Sequence, residues 1–293
     1  MTVQASSHSL SSRKSLWKSN LITFGLLGLF LLLVFAVEAL VHPIFNSTSL
    51  VITGAVMSLV PAFLWLVFFY RQDQREPEPK SMVFEVFILG GLLAAAIGIP
   101  LIEDVFKLSS WLYSNLWIEL LGSVLVIGFT QETLKWAAVR FSVYKSIEFD
   151  EPTDGIIYAT AAGLGFATVL NISFIVNSGG ANLGIAAIRI VLTALAQASF
   201  AGISGYFLAC EKFEGKPIWW MPCGVALAAL LNGVFFTLWG SLTRPTLTGS
   251  GAFINPWLGL TFAVLLSLAI TVILSLMIQK NEKQSSPTPE VKP

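Results

Sequence analysis

This chain predicts an all-α, polytopic membrane protein, and three observations carry that prediction. Of its 293 residues, 55% are hydrophobic and only 12% charged, against roughly 25% charged in an ordinary soluble domain. Apolar runs of about 20 residues, the length that crosses a bilayer as a helix, recur along it. Its lysines and arginines gather in alternate connections instead of spreading evenly.

Eight runs qualify as spans: Leu21 to Val41, Leu50 to Tyr70, Ser81 to Ile102, Asn115 to Phe141, Thr153 to Val176, Gly184 to Cys210, Ile218 to Trp239, and Asn255 to Ile278. The first follows Arg13, Lys14 and Lys18, as a secretory signal would. It is longer than the apolar part of a signal, and no small-x-small cleavage site follows it, so it reads as a retained anchor. The spans make one helical transmembrane domain, 20–278. It lies between a polar tail, 1–19, and a Ser/Pro-rich tail, 279–293, neither of which buries enough apolar area to fold alone.

With the N-terminus inside, the inner segments hold Arg13, Lys14, Lys18, Arg71, Arg75, Lys80, Arg140, Lys145, Lys212, Lys216, Lys280, Lys283 and Lys292. The outer loops hold only Lys107 and Arg244. Cytoplasmic loops are enriched in cations, so both termini are expected in the cytoplasm and the chain in the plasma (inner) membrane as a multi-pass protein. The two remaining cations, Lys135 and Arg189, fall within spans.

Composition also excludes. Seventeen cations balance seventeen anions, and no basic patch interleaved with aromatics points to nucleic acid. Cys210 and Cys223 are too few for a disulfide scaffold, and His8 and His42 form no cluster. No zinc centre and no other cofactor is therefore expected.

A charge at the centre of a spanning helix costs on the order of 2.5 to 3.5 kcal/mol, so each one needs a reason. In GFTQETLKW, Glu132 and Lys135 lie three apart on neighbouring rows of one helix face, with Gln131 beside them. They form either a self-neutralising pair or part of a polar site. At 1.5 Å per residue, Glu132 lies about 14 Å from the inner end of its span, Gln197 about 20 Å and Asn232 about 21 Å from theirs. Three polar side chains on three helices thus share a layer, expected to line a cavity beneath the cytoplasmic face. Taken singly, Gln197 and Asn232 read as helix-to-helix glue. Glu151 and Asp154 read as N-terminal caps, and the small residues from Gly155 to Ala167 as a seam for close helix approach. Asn171 lies near the outer end of its span, away from the layer. The loop YRQDQREPEPK, Tyr70 to Lys80, reads as a solvated turn stiffened by Pro77 and Pro79.

In order along the chain, that loop, QETLK, EPTDGIIYATAAGLGFATVLN, Arg189 ahead of QASFAGISGY, and LLNGVFF resemble the PrsW family of intramembrane proteases over residues 70–239. The resemblance implies a relation in fold to the prenyl-protein CAAX proteases and bacteriocin-immunity membrane proteins. It implies a peptidase in which a glutamate takes a proton from attacking water and histidines assist. Membrane-anchored proteins such as anti-sigma factors would be its substrates. Lys135, Asp154, Gly155 and Arg189 match the family pattern. Gln131 stands for the first glutamate of EExxK while Glu132 keeps the second. Leu170 replaces the glutamate before Asn171, and Gln197 and Asn232 replace histidines. An amide does not titrate, so three proton-handling positions keep their hydrogen bonding and lose proton transfer.

The resemblance therefore predicts catalysis by Glu132, with Gln131, Gln197 and Asn232 at degenerate positions. Lys135, Asp154, Asn171 and Arg189 would support them, and peptidase activity would be reduced or lost. The alternatives are a non-catalytic regulator or scaffold that binds membrane helices in the same cavity, and a small-molecule transporter. No pair of interrupted spans in corresponding halves, a frequent transporter mark, is found.

Overall fold

The computed structural model describes residues 2–71, 78–179 and 183–243, together with Thr261, Leu265 and Val272. The described residues are helical and contain no strand: α1 (Thr2–Val41), α2 (Ser47–Tyr70), α3 (Lys80–Leu93), α4 (Leu116–Gly122), α5 (Phe129–Ser142), α6 (Pro152–Asn177), α7 (Leu183–Glu214) and α8 (Trp220–Thr243). Long apolar runs leave the backbone no polar partner but itself, which selects helices.

Helix starts follow the local chemistry. Asn46 caps α2 in a reciprocal box with Ser49, and Asn115 caps α4 through Ile118 N. Pro152 occupies the first turn of α6 behind Glu151 and Asp154, which cap each other reciprocally. The capping expected of those two carboxylates is what is seen. Glu38, near the end of α1, accepts a hydrogen bond of 2.8 Å from Gly184 N at the start of α7.

Six described helices are long and apolar enough to cross a membrane, and they match the first, second, third, fifth, sixth and seventh predicted spans. The third is broken after Leu93 by π-helical turns at Ala94–Gly98 and Leu101–Val105. The fourth predicted span is built from α4, a π-helical stretch at Ser123–Gly128, and α5 in succession. Interrupted in this way and carrying Glu119, Glu132, Lys135 and Arg140, it is not among the six. Apart from Thr261, Leu265 and Val272, the eighth predicted span lies outside the described residues, as does the tail 279–293.

The most apolar stretches of α6 and α7 are 67% and 83% buried, whereas that of α1 is 6% buried. The α6–α7 pair is therefore the centre of the bundle, flanked by α2 and α3 on one side and by α5 and α8 on the other. Small residues make this possible, because without a hydrophobic drive inside lipid the helices gain from close van der Waals approach. At Gly163 an added Cβ would lie 2.6 Å from Gln197 O. Glycine there brings α7, with Gln197, against α6.

Candidate functional site

The polar layer is assembled by α5, α7 and α8. The π-helical stretch before α5 shifts the phase of that helix, a feature often found at functional sites. Gly128 and Gly233 accompany it: a Cβ on Gly128 would lie 2.3 Å from Ala229 O, and one on Gly233 2.5 Å from Val124 Cα. The two helices consequently approach backbone to backbone, which carries Asn232 of α8 to Gln131 and Glu132 of α5.

One cation organises the whole layer. Lys135 Nζ donates to Glu132 Oε1 at 2.5 Å, to Gln197 Oε1 at 2.7 Å and to the Gln197 main-chain oxygen at 3.3 Å. An ammonium has three protons and no acceptor, so all of its capacity is used. Because Lys135 only donates, Gln197 must offer it oxygen, which turns Gln197 Nε2 toward Gln131 Oε1 at 2.9 Å and Asn232 Oδ1 at 3.2 Å. Asn232 Nδ2 then donates to Gln131 Oε1 at 3.0 Å and Glu132 Oε1 at 2.8 Å. Gln131 Oε1 thus receives two donors, and its Nε2 is left without a protein partner among the described residues. Glu132 Oε2 is buried and likewise unpartnered. Glu132 and Lys135 are both 0% exposed.

A cavity of about 420 Å³ adjoins this layer. Gln131, Gln197 and Asn232 line it, whereas Glu132 and Lys135 lie behind them. The sequence left open whether Glu132 pairs with Lys135 or faces a cavity; in the structure it pairs. Asn171 and Arg189 also line the cavity, although Asn171 was expected to lie apart from the layer. Asn171 Nδ2 donates to Ile190 O at 3.3 Å, and the Arg189 guanidinium sits 3.6 Å from the Phe174 ring centre. The expected placement beneath the lysine-rich face needs correction. The remaining wall includes Ser109, Tyr113 and Asn177, so the cavity extends from the layer toward the opposite end, where the connections after α3 and α6 lie.

Asp154 is not brought into this site. Its carboxylate accepts from Asp150 N at 2.9 Å and Glu151 N at 2.6 Å and lies near the Glu78 carboxyl. Tyr158 donates its hydroxyl to Glu78 Oε2, and Tyr70 to Glu78 O at 2.9 Å. Glu78 is 4% exposed, so this end of the charged loop is not the solvated turn that was expected. The signal was available in part: a glutamate between two prolines, just ahead of an apolar helix, is held where it can be buried. Its partner Tyr158 is 80 residues away and was not legible.

The family described as PrsW family intramembrane metalloprotease matches residues 78–270. Protease PrsW of Bacillus subtilis (strain 168) is 31% identical over 179 residues, covering 60% of this chain and 78% of the relative. Protease PrsW of Geobacillus kaustophilus (strain HTA426) is 33% identical over 178 residues, covering 60% and 75%. Protease PrsW of Clostridioides difficile (strain 630) is 29% identical over 186 residues, covering 61% and 76%. No solved structure matches the chain.

The donor set here does not fit the metal that this family description implies. Divalent zinc takes histidine nitrogen, thiolate or carboxylate, and the layer offers one carboxylate and three neutral amides. Of that carboxylate's two oxygens, Oε1 is already held by the Lys135 ammonium, which leaves a single buried oxygen for an ion. Among the described residues, no three His, Cys, Asp or Glu side chains converge to share an ion.

Proposed function

Because the chain belongs to the PrsW family of intramembrane proteases, we propose that it acts on membrane-anchored proteins, anti-sigma factors being one such class, with peptidase activity reduced or lost. The observation that carries this reading is the placement of Glu132 behind the amides. Hydrolysis needs a base within hydrogen-bond reach of the attacking water. Glu132 Oε1 is occupied by Lys135 and Asn232, and Oε2 is closed to solvent. The other groups of the layer that reach the cavity are amides, which do not take up a proton, and the carboxylate on the cavity wall, Glu103, lies with Ser109 in the connection after α3 and not in the layer.

What remains is a binding surface. The Gln131 amide nitrogen can donate to a carbonyl oxygen, and Asn171 and Arg189 extend the polar wall, so the cavity suits the backbone of a peptide segment unwound within the membrane. Function then consists of holding such a segment, as a regulator or scaffold would. We further read the chain as crossing the plasma membrane eight times with both termini in the cytoplasm, which the thirteen inner and two outer cations support.

The test is cleavage of a single-span reporter by the purified protein, compared with Glu132→Gln and with the triple variant Gln131→Glu, Gln197→His, Asn232→His. The reading expects little or no product from wild type, none from Glu132→Gln, retention of the reporter by both, and a gain of cleavage in the triple variant. Turnover by wild type as fast as that of the triple variant, and abolished by Glu132→Gln, would overturn it.

A further inference from the structure

A second cavity lies at the other end of the bundle. It is a groove of about 480 Å³ between α5, the end of α7 and the start of α8. Phe129, Ile218, Met221 and Val225 make its walls apolar. Two hydrogen-bond donors on its lining are unsatisfied: Trp136 Nε1 and Arg140 Nη1 are buried and have no partner among the described residues. A buried donor without an acceptor is expensive, more so when charged, and native structures rarely leave two together. The Arg140 guanidinium is held 3.9 Å from the Tyr144 ring centre, which fixes its plane without supplying an acceptor. Glu211 lines the same groove and contributes a carboxylate.

We propose that this groove binds an aminophospholipid, with its phosphate on Arg140 and Trp136, its ammonium on Glu211 and an acyl chain along the apolar wall. Charge complementarity selects the occupant. A guanidinium and an indole N–H together call for an oxyanion, the carboxylate beside them calls for a cation, and only a zwitterion answers both. The apolar wall calls for a chain attached to it. The location agrees, since Ile218 is 88% and Trp219 59% exposed beside the groove, and Lys212 and Lys216 belong to the same end of the bundle. Tryptophans and lysines at a helix end mark the headgroup level. The site is separate from the amide cavity and does not depend on whether that cavity hydrolyses anything.

The test is native mass spectrometry of the full chain in detergent, titrated with phosphatidylethanolamine and phosphatidylglycerol of identical acyl chains. Wild type is expected to bind phosphatidylethanolamine more tightly. Arg140→Met should weaken both lipids by about tenfold to a hundredfold, the range for a lost hydrogen bond to a charged group. Trp136→Phe keeps the aromatic volume, and should weaken both by a smaller factor. Glu211→Gln should keep phosphatidylglycerol binding and abolish the preference for phosphatidylethanolamine. Circular dichroism confirms that each variant is folded; if Arg140→Met is not, the other two decide. Wild-type preference for phosphatidylglycerol, or unchanged binding in the folded variants, overturns the proposal. So does a folded wild type that retains no lipid, because the groove would then be filled by protein, such as the chain's own 255–278 segment.

Discussion

Lys135→Met is the most informative single change to this protein. It removes the only cation of the polar layer and leaves Glu132 with Asn232 as its sole donor and Gln197 Oε1 with none. Removing one partner of a buried pair typically costs about 3 to 5 kcal/mol. The carboxyl can limit that loss by taking up a proton. From a free glutamate value of about 4.3, this costs about 1.36 kcal/mol per pH unit, or roughly 3.7 kcal/mol at pH 7 and roughly 1 kcal/mol at pH 5. The folded variant then holds a proton that the unfolded chain releases above about 4.3, so its deficit grows as pH rises above that value and levels off below it, where both states hold the proton. Adding Glu132→Gln removes the stranded charge, and the double variant should recover most of the loss at pH 7. The assay is denaturant unfolding of the full chain in bicelles at pH 5 and pH 7, followed by circular dichroism, as a double-variant cycle. A Lys135→Met loss below about 1 kcal/mol at pH 7, or a double variant as unstable as the sum of the singles, would refute the view that this ammonium organises the layer.

Other predictions test the packing and the polar clusters. Wild type should purify without stoichiometric zinc, whereas the triple variant Gln131→Glu, Gln197→His, Asn232→His should take up one equivalent and melt higher with added zinc, measured by elemental analysis and thermal unfolding. Gly205→Ala would place a Cβ 2.0 Å from Gly155 O and should lose about 1 to 3 kcal/mol or more. Gly28→Ala meets nothing within 4 Å and should be neutral or gain up to about 1 kcal/mol, in the same unfolding assay. Glu78→Ala strands the buried Tyr158 hydroxyl and should lose about 1 to 3 kcal/mol, while Glu78→Gln keeps an acceptor and should lose less.

The helices were legible because hydropathy is local: a run of about 20 apolar residues favours the bilayer whatever surrounds it. The same reasoning exposed Gln131, Glu132, Lys135, Gln197 and Asn232, since a polar residue in such a run needs a partner. Less was visible where local phase changes. The π-helical stretch Ser123–Gly128 shifts the face of α5, so heptad-like counting from Asn115 does not say which of Gln131 and Glu132 looks into the cavity. Glu78 read as a loop charge because its burial rests on a tyrosine one helix hairpin away.

The amino-acid order by itself settled a helical membrane protein of the PrsW family with amides at three positions where its relatives' pattern carries titrating groups. The tertiary structure alone decided that Lys135 and Glu132 sit behind those amides, that each amide dipole points one way, and that the cavity extends away from the lysine-rich end. The physical reason is the range of the interactions. Partition into a bilayer depends on each segment's own side chains, but the orientation of an amide depends on a donor 62 residues away in the chain, and that neighbour exists only once the helices have packed.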